Sequence, residues 1–205
     1  VVDKRLDRGR TTRERIASAA RVLFAEQGYE AVSTEAVRHV CGISRGALFH
    51  HFPTKEAVFT AVLEAVEEGV AEHMRVAAMA ATNPLDALRA GCAAWLDLAA
   101  SDPAVRQIVL TDAPAVVGWR AWREIDAAHG LGLLRRALAE AARHGRVPAD
   151  QVECYAQGLL AVLIEMALRV ASAPSDTHVA RSSRQFVELV VSRVFGLEPG
   201  SPWPG

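Results

Sequence analysis

Apolar residues recur three and four positions apart along almost the whole chain, and no run of alternating β-branched residues exceeds a few positions, so the pattern predicts an all-α protein. In "TTRERIASAARVLFAEQGYE" the side chains of Ile16, Ala19, Ala20, Leu23 and Phe24 share one face, with Thr11 or Thr12 as N-cap and Gly28 as the stop. "STEAVRHV" follows, capped by Ser33 or Thr34, with Val37 and Val40 as its buried edge. Gly42 permits the positive φ of a tight turn, Ser44 caps a third short helix over "RGALFHHF", and Pro53 ends it. Thr54 caps the next, long helix. Two short helices joined by a four-residue turn containing glycine, with a longer helix before them, make a helix-turn-helix head.

Beyond Pro84 the same periodicity predicts about five more helical segments, with Pro103, Pro114, Pro148 and Pro174 near starts or breaks and Gly145 and Gly196 at ends. The expected organisation is a DNA-binding head over 1–55 with an arm over 1–10, a larger helical body over 56–196, and a disordered tail, "LEPGSPWPG", over 197–205. No internal repeat is visible.

Composition sets limits on this picture. At 205 residues and 51% hydrophobic, the chain can bury a sizeable core without disulfides or metals. Its greasiest stretch, "GLLAVLIEMALRVA", is interrupted by Glu165 and Arg169, so no membrane span is expected. The charged N-terminus lacks the form of a signal peptide, and a cytoplasmic location is the expectation. Cys41, Cys92 and Cys154 suit neither a disulfide framework nor a CxxC metal knuckle and read as small core residues. Residues 1–55 hold ten Lys/Arg against six Asp/Glu, and 56–205 hold thirteen against eighteen, so a basic front end precedes an acidic body. That distribution directs any polyanion to the first quarter of the chain.

The stretch "CGISRGALFHHFPTK" focuses the question. Leu48 and Phe52 lie four apart and, with Val37, Val40 and Ile43, can fill the space between the head helices. Gly46, Ala47, Phe49 and His50 then face outward, with Arg45 at the N-terminal edge and His51 on the flank. The twenty residues between Glu35 and Glu56 hold no acid, where phosphates would repel one. Arg45 has the fork that pairs with guanine O6 and N7, against the alternative of a solvated surface arginine. Thr34 and Lys55 stand at or beside helix N-termini, where hydroxyl, backbone N–H groups and the positive dipole end can hold phosphate. Gly46 costs about 1 kcal/mol against Ala, which either a close backbone approach or the tolerance of a first turn explains. His50 and His51 diverge by about 100° on a helix and cannot ligate one metal together. No HExxH, CxxC, GxSxG or glycine-rich phosphate loop occurs, so neither an enzyme nor a cofactor or metal is expected.

Taken together, "RERIASAARVLFAEQGYEAVSTEAVRHVCGISRGALFHHFPTKEAV" resembles the TetR family of one-component transcriptional regulators in order and spacing. The remainder resembles that family in layout, a larger all-helical domain whose last two helices dimerise, and "VLTDAPAVVGWRAWREIDAAHGLGLLRRAL" looks like the ligand domain of one subgroup. The resemblance implies phosphate contacts from Thr34, His51 and Lys55 and base-facing roles for Arg45 and Ala47 on a recognition helix capped by Ser44. Phe49 stands where the family usually has Tyr; it keeps the ring and loses the hydroxyl. Arg8 and Arg10 of the arm could add backbone or minor-groove contacts.

In the body, Leu159–Val170 is apolar on nearly every side, and "FVELVVSRVF" carries a similar surplus. Two-fold pairing through Leu159, Leu163, Met166, Val170, Phe186, Leu189, Val190 and Val194 would cover both, as would a thicker monomeric core. Met74, Met79, Trp95, Trp119, Trp122 and His129 either line an apolar cavity for a largely apolar effector or pack the core. Glu165 either pairs with Arg169 or faces inward toward a cationic effector. The expected partners are double-stranded DNA, a small-molecule effector and a second copy of the chain. The expected function is a ligand-responsive repressor on a palindromic operator; the alternative is a helical small-molecule-binding protein or enzyme without specific DNA binding.

Overall fold

In the computed structural model the described residues are 4–195, with side chains from Thr12 onward. They form nine α-helices: α1 (Lys4–Ala31), α2 (Thr34–Cys41), α3 (Arg45–His51), α4 (Lys55–Met79), α5 (Pro84–Ser101), α6 (Ala113–Val116), α7 (Trp119–Arg143), α8 (Val152–Ser172) and α9 (Thr177–Val194). A π-helix, Val105–Asp112, precedes α6. Its wider turn brings residues five apart together, so Thr111 Oγ1 donates to the Arg106 carbonyl at 2.7 Å and Gln107 Nε2 to Asp112 Oδ1 at 3.0 Å.

The first helix departs from expectation at its start, whereas Gly28 interrupts it as the sequence predicts. It begins at Lys4, not at Thr11 or Thr12, because the Lys- and Arg-rich arm propagates a helix and a single glycine does not stop it. At Gly28 the backbone leaves helical geometry (φ 77°, ψ 164°), then one more turn reaches Ala31. The kink is locked from outside: Asp112 Oδ2 accepts from the Tyr29 N–H at 2.7 Å, and a Cβ at position 28 would lie 3.1 Å from Gln107 Nε2. The side chains of Arg8 and Arg10, and the tail 197–205, fall outside the described residues.

The chain divides into two compact units. One joins the chain up to Val66 with Pro103–Trp122; the other joins Glu67–Asp102 with the chain from Arg123. The π-helix and α6 thus belong with the head, so the compact units cut across the 55/56 boundary expected from sequence. In the first unit Ile16, Phe24, Val37, Leu48, Phe52 and Phe59 are buried, and Phe24, Tyr29 and Phe59 form an aromatic cluster with centroids 5.1–5.9 Å apart. Val40 is 59% exposed, a correction to its predicted burial: α2 ends one residue later, and its last turn lies outside the space that Val37 fills.

In the second unit α5, α8 and α9 pack on one another. The indole of Trp95 donates to the Leu163 carbonyl at 3.2 Å, and Arg89 on α5 reaches Glu188 (Nε to Oε2, 3.0 Å) and Ser192 Oγ (3.0 Å) on α9. By length and hydropathy Ala149–Ser172 could cross a membrane, contrary to the reading of Glu165 and Arg169 as disqualifying. Its Leu159, Leu160, Leu163, Ile164, Ala167 and Val170 are instead buried within the protomer. Leu159, Leu163 and Val170, expected at a dimer surface, are thus buried within the protomer itself. Phe186 and Leu189 stay exposed, with Met166, Val190 and Val194 half-buried. Cys92 is buried, its thiol pushed up to about 12 by burial, whereas Cys154 is exposed and not a core residue.

Candidate nucleic-acid interface and body cavity

Local chemistry fixes the turn between α2 and α3. Ser33, rather than Thr34, caps α2, its Oγ accepting from the Ala36 N–H at 3.1 Å. Gly42 takes the left-handed conformation (φ 64°), its N–H donating to the His39 carbonyl, while the Ile43 N–H donates to the Arg38 carbonyl. These two bonds are those of a Schellman stop, and Arg38 Nη1 closes it from the side by donating to the Ile43 carbonyl at 3.0 Å. Ser44 Oγ then accepts from the Ala47 N–H at 3.2 Å and starts α3. Two arginines of α1 hold the other helix ends: Arg15 Nη2 donates to the Cys41 carbonyl at 3.3 Å and Arg13 Nη1 to the His51 carbonyl at 3.0 Å. Each places a cation on carbonyls that a helix C-terminus leaves unsatisfied.

With Leu48 and Phe52 buried, α3 turns Arg45, Gly46, Phe49 and His50 to solvent, and Ala47 and His51 lie at its half-buried edges. Arg45 stacks its guanidinium over the Phe49 ring, 5.5 Å from the centroid, an i,i+4 pair that braces the fork at the surface. A Cβ on Gly46 would meet nothing within 4 Å, so this fold has no steric need for glycine there. Thr34 is half-buried in the first turn of α2, and Thr54 Oγ1 caps α4 by accepting from the Ala57 N–H at 3.0 Å. Lys55 donates to the Glu30 carbonyl at 3.3 Å with its ammonium 4.1 Å from the Tyr29 ring centroid, leaving donors over for a phosphate. Glu35 is tied up by hydrogen bonds from Arg38, which hold its carboxyl below the usual range.

The second unit contains a cavity walled by α4, α5, α7 and α8. Of the residues offered for a cavity from sequence, Met74, Trp95 and His129 line it. Met79 (69% exposed), Trp119 (60% exposed) and Glu165 (exposed on α8) do not, because each lies on the solvent side of its helix. Trp122 is buried in the first unit, edge-on to Trp119, and also forms no part of this wall. Sequence reasoning missed Glu67 and Asp126, which are 3% and 6% exposed and project among Met74, Trp95, Leu160 and Leu163. Burial pushes Glu67 up to about 8, with the Asp126 charge adding to the shift, and pushes Asp126 up to about 6 against a smaller opposing pull from Arg123. The spacing held a signal: Leu63, Glu67, Val70 and Met74 follow the 4,3,4 rhythm of a buried face, and Asp126 sits four after Trp122 and four before Gly130.

A capped helix-turn-helix whose second helix carries no acid, joined in one chain to a helical body with its own cavity, is the layout of a DNA-binding transcriptional regulator. Residues 16–62 match the family described as bacterial regulatory proteins, tetR family, and residues 85–194 match the tetracyclin repressor-like C-terminal domain. The chain belongs to the TetR family. It is 31% identical over 171 residues to the HTH-type transcriptional repressor Rv1474c of Mycobacterium tuberculosis, covering 82% of this chain and 87% of that protein. It is 40% identical over 63 residues to the HTH-type transcriptional regulator UidR of Escherichia coli, a match spanning 31% of this chain and only 32% of UidR. A TetR-family regulator from Pectobacterium atrosepticum superimposes with a TM-score of 0.79 at 25% identity, covering 96% of this chain and 98% of the other.

Proposed function

We propose that the protein is a ligand-responsive repressor that binds a palindromic operator as a homodimer in the cytoplasm. The observation that carries this reading is the outward face of α3, where Arg45, braced on Phe49, stands beside Gly46 and His50 with no free carboxylate. In this reading Arg45 and Ala47 face bases, Phe49 packs against a thymine methyl or sugar, and His50 lies alongside. Thr34, His51 and Lys55 hold phosphates on either side, while Ser44 fixes the start of the reading helix. Gly46 lets the α3 backbone approach the duplex. Phe186 and Leu189, exposed on α9, with Met166, Val190 and Val194 beside them, supply the apolar patch through which two copies pair. A dimer places two reading helices about one turn of DNA apart, which makes the operator a palindrome. An effector in the body cavity shifts the population toward a state whose heads are wrongly spaced, so ligand and operator compete through differential affinity.

The test is fluorescence anisotropy of the full chain on duplexes tiling its own upstream region, at two salt concentrations, with Arg45→Ala alongside. Saturable binding to one palindromic segment that weakens with salt and drops roughly 5- to 150-fold in Arg45→Ala supports the reading. Binding equal on all duplexes and indifferent to Arg45 refutes the role of α3.

A further inference from the structure

Glu67 on α4 and Asp126 on α7 are both more than nine-tenths buried, and Glu67 Oε1 and Asp126 Oδ2 have no hydrogen-bond partner. Both acids line the body cavity, where the rest of the wall is mainly apolar and includes the indole of Trp95. Buried carboxyl groups persist where something in the site uses them, since an unpartnered polar atom in an apolar wall opposes folding. The Trp95 Nε1–H is already committed to the Leu163 carbonyl, so the indole offers the cavity its ring and not a donor. The cavity itself is about 20 Å³, the size of one small polar group. Met74 and Leu134 also line a neighbouring chamber of about 170 Å³, whose wall includes Ala78, Leu88 and Cys92. Cavities of roughly 150 Å³ accept benzene. Met74, unbranched and adaptable, is a partition that can move. Arg136 is the charged residue of the chamber wall, so a cation is repelled there and drawn toward the carboxyl end.

We infer that the body cavity takes an organic amine, its ammonium head held by Glu67 and Asp126 and its apolar body, about one ring in size, in the chamber beyond Met74. The inference rests on the reading of the body as the effector-binding part and names the chemical class of that effector. Trp95 adds an aromatic face that favours a cation over a neutral head. Binding is linked to a proton. Near neutrality Asp126 is largely ionised and Glu67 largely protonated, so an arriving ammonium draws the Glu67 proton into solvent. Among the described residues, the other ionisable groups that bear on these acids are His129, on the cavity wall, and Arg123, both on α7; α5 and α8 supply Trp95, Leu160, Leu163 and Ile164 to that wall. Affinity for an amine therefore tightens as pH rises from 6 to 8.

The experiment is calorimetric titration of the full chain with methylammonium, benzylamine and cyclohexylamine, against benzyl alcohol and benzoate, at pH 6, 7 and 8. Operator binding is read by anisotropy on the same samples. Expected is binding of at least one ring-bearing amine, roughly tenfold or more tighter than benzyl alcohol and tightening with pH. Glu67→Gln should flatten that pH profile, and Asp126→Asn should bring the amine down toward the alcohol. Equal affinity for amine and alcohol, preference for benzoate, pH-independent amine binding in the wild type, or no amine binding with the operator still bound each overturns the inference. Amine binding without operator binding would sink the repressor reading and leave the amine site standing.

Discussion

Raising the pH from 5 to 9 should destabilise this protein, and Glu67→Gln should remove much of the effect. Glu67 moves from an ordinary 4.5 to about 8 on folding, a displacement of about 3.5 pH units that corresponds to ~5 kcal/mol at ~1.4 kcal/mol per unit. Asp126 moves from 3.8 to about 6, corresponding to ~3 kcal/mol by the same conversion. Both groups bind protons more tightly in the folded state, so their contribution is fully present below the unfolded values and is lost as pH climbs through the folded ones. The Asp126 share disappears between about pH 4 and 6 and the Glu67 share between about 4.5 and 8, and because the two charges repel, the loss is shared rather than additive. Urea denaturation at fixed protomer concentration, followed by circular dichroism at pH 5 to 9, reads this directly. The wild type should lose several kcal/mol by pH 8.5, about 1.4 kcal/mol per unit between pH 6 and 8, while Glu67→Gln stays nearly level there. A wild type that is level across that range, or a Glu67→Gln variant with the wild-type slope, would refute the burial argument.

Three further outcomes follow from particular contacts. Gly28→Ala forces a side chain into a glycine-only conformation beside Gln107 and should cost about 1–3 kcal/mol, read as a lowered thermal midpoint. Arg89→Ala leaves Glu188 and Ser192 without their α5 partner and should cost about 1–3 kcal/mol, with Glu188→Gln adding less in the double variant than alone. Gly46→Ala places a methyl in open space, so the thermal midpoint should hold or rise, by up to ~1 kcal/mol of helix propensity, while anisotropy shows weaker operator binding.

The punctuation of the head was readable from sequence because each stop has its own chemistry: Ser44 and Thr54 cap helices, and Gly42 supplies the one left-handed turn that ends α2. Burial was harder. Val40 continues the apolar rhythm of α2 yet lies past the point where the neighbouring helices cover it, and Leu159 satisfies a dimer pattern and a core pattern equally well. Glu67 was masked by its neighbour Glu68, since an acid pair reads as solvated surface, although its spacing from Leu63, Val70 and Met74 already placed it on the buried face. The π-helix leaves no periodic trace in eight residues, and the placement of Trp119 and Met79 depends on which helix faces find partners, which no single stretch encodes.

The two sides of α3 also bear on how such a regulator changes its address. Leu48 and Phe52 carry the fold, while Arg45, Gly46, Phe49 and His50 touch solvent. Surface replacements of that kind shift stability by about half a kcal/mol or less. If this face reads the operator as proposed, a lineage carrying this head can try new reading residues one at a time, each variant still folding, and descendants can part company over which genes they answer to without first acquiring a more stable scaffold.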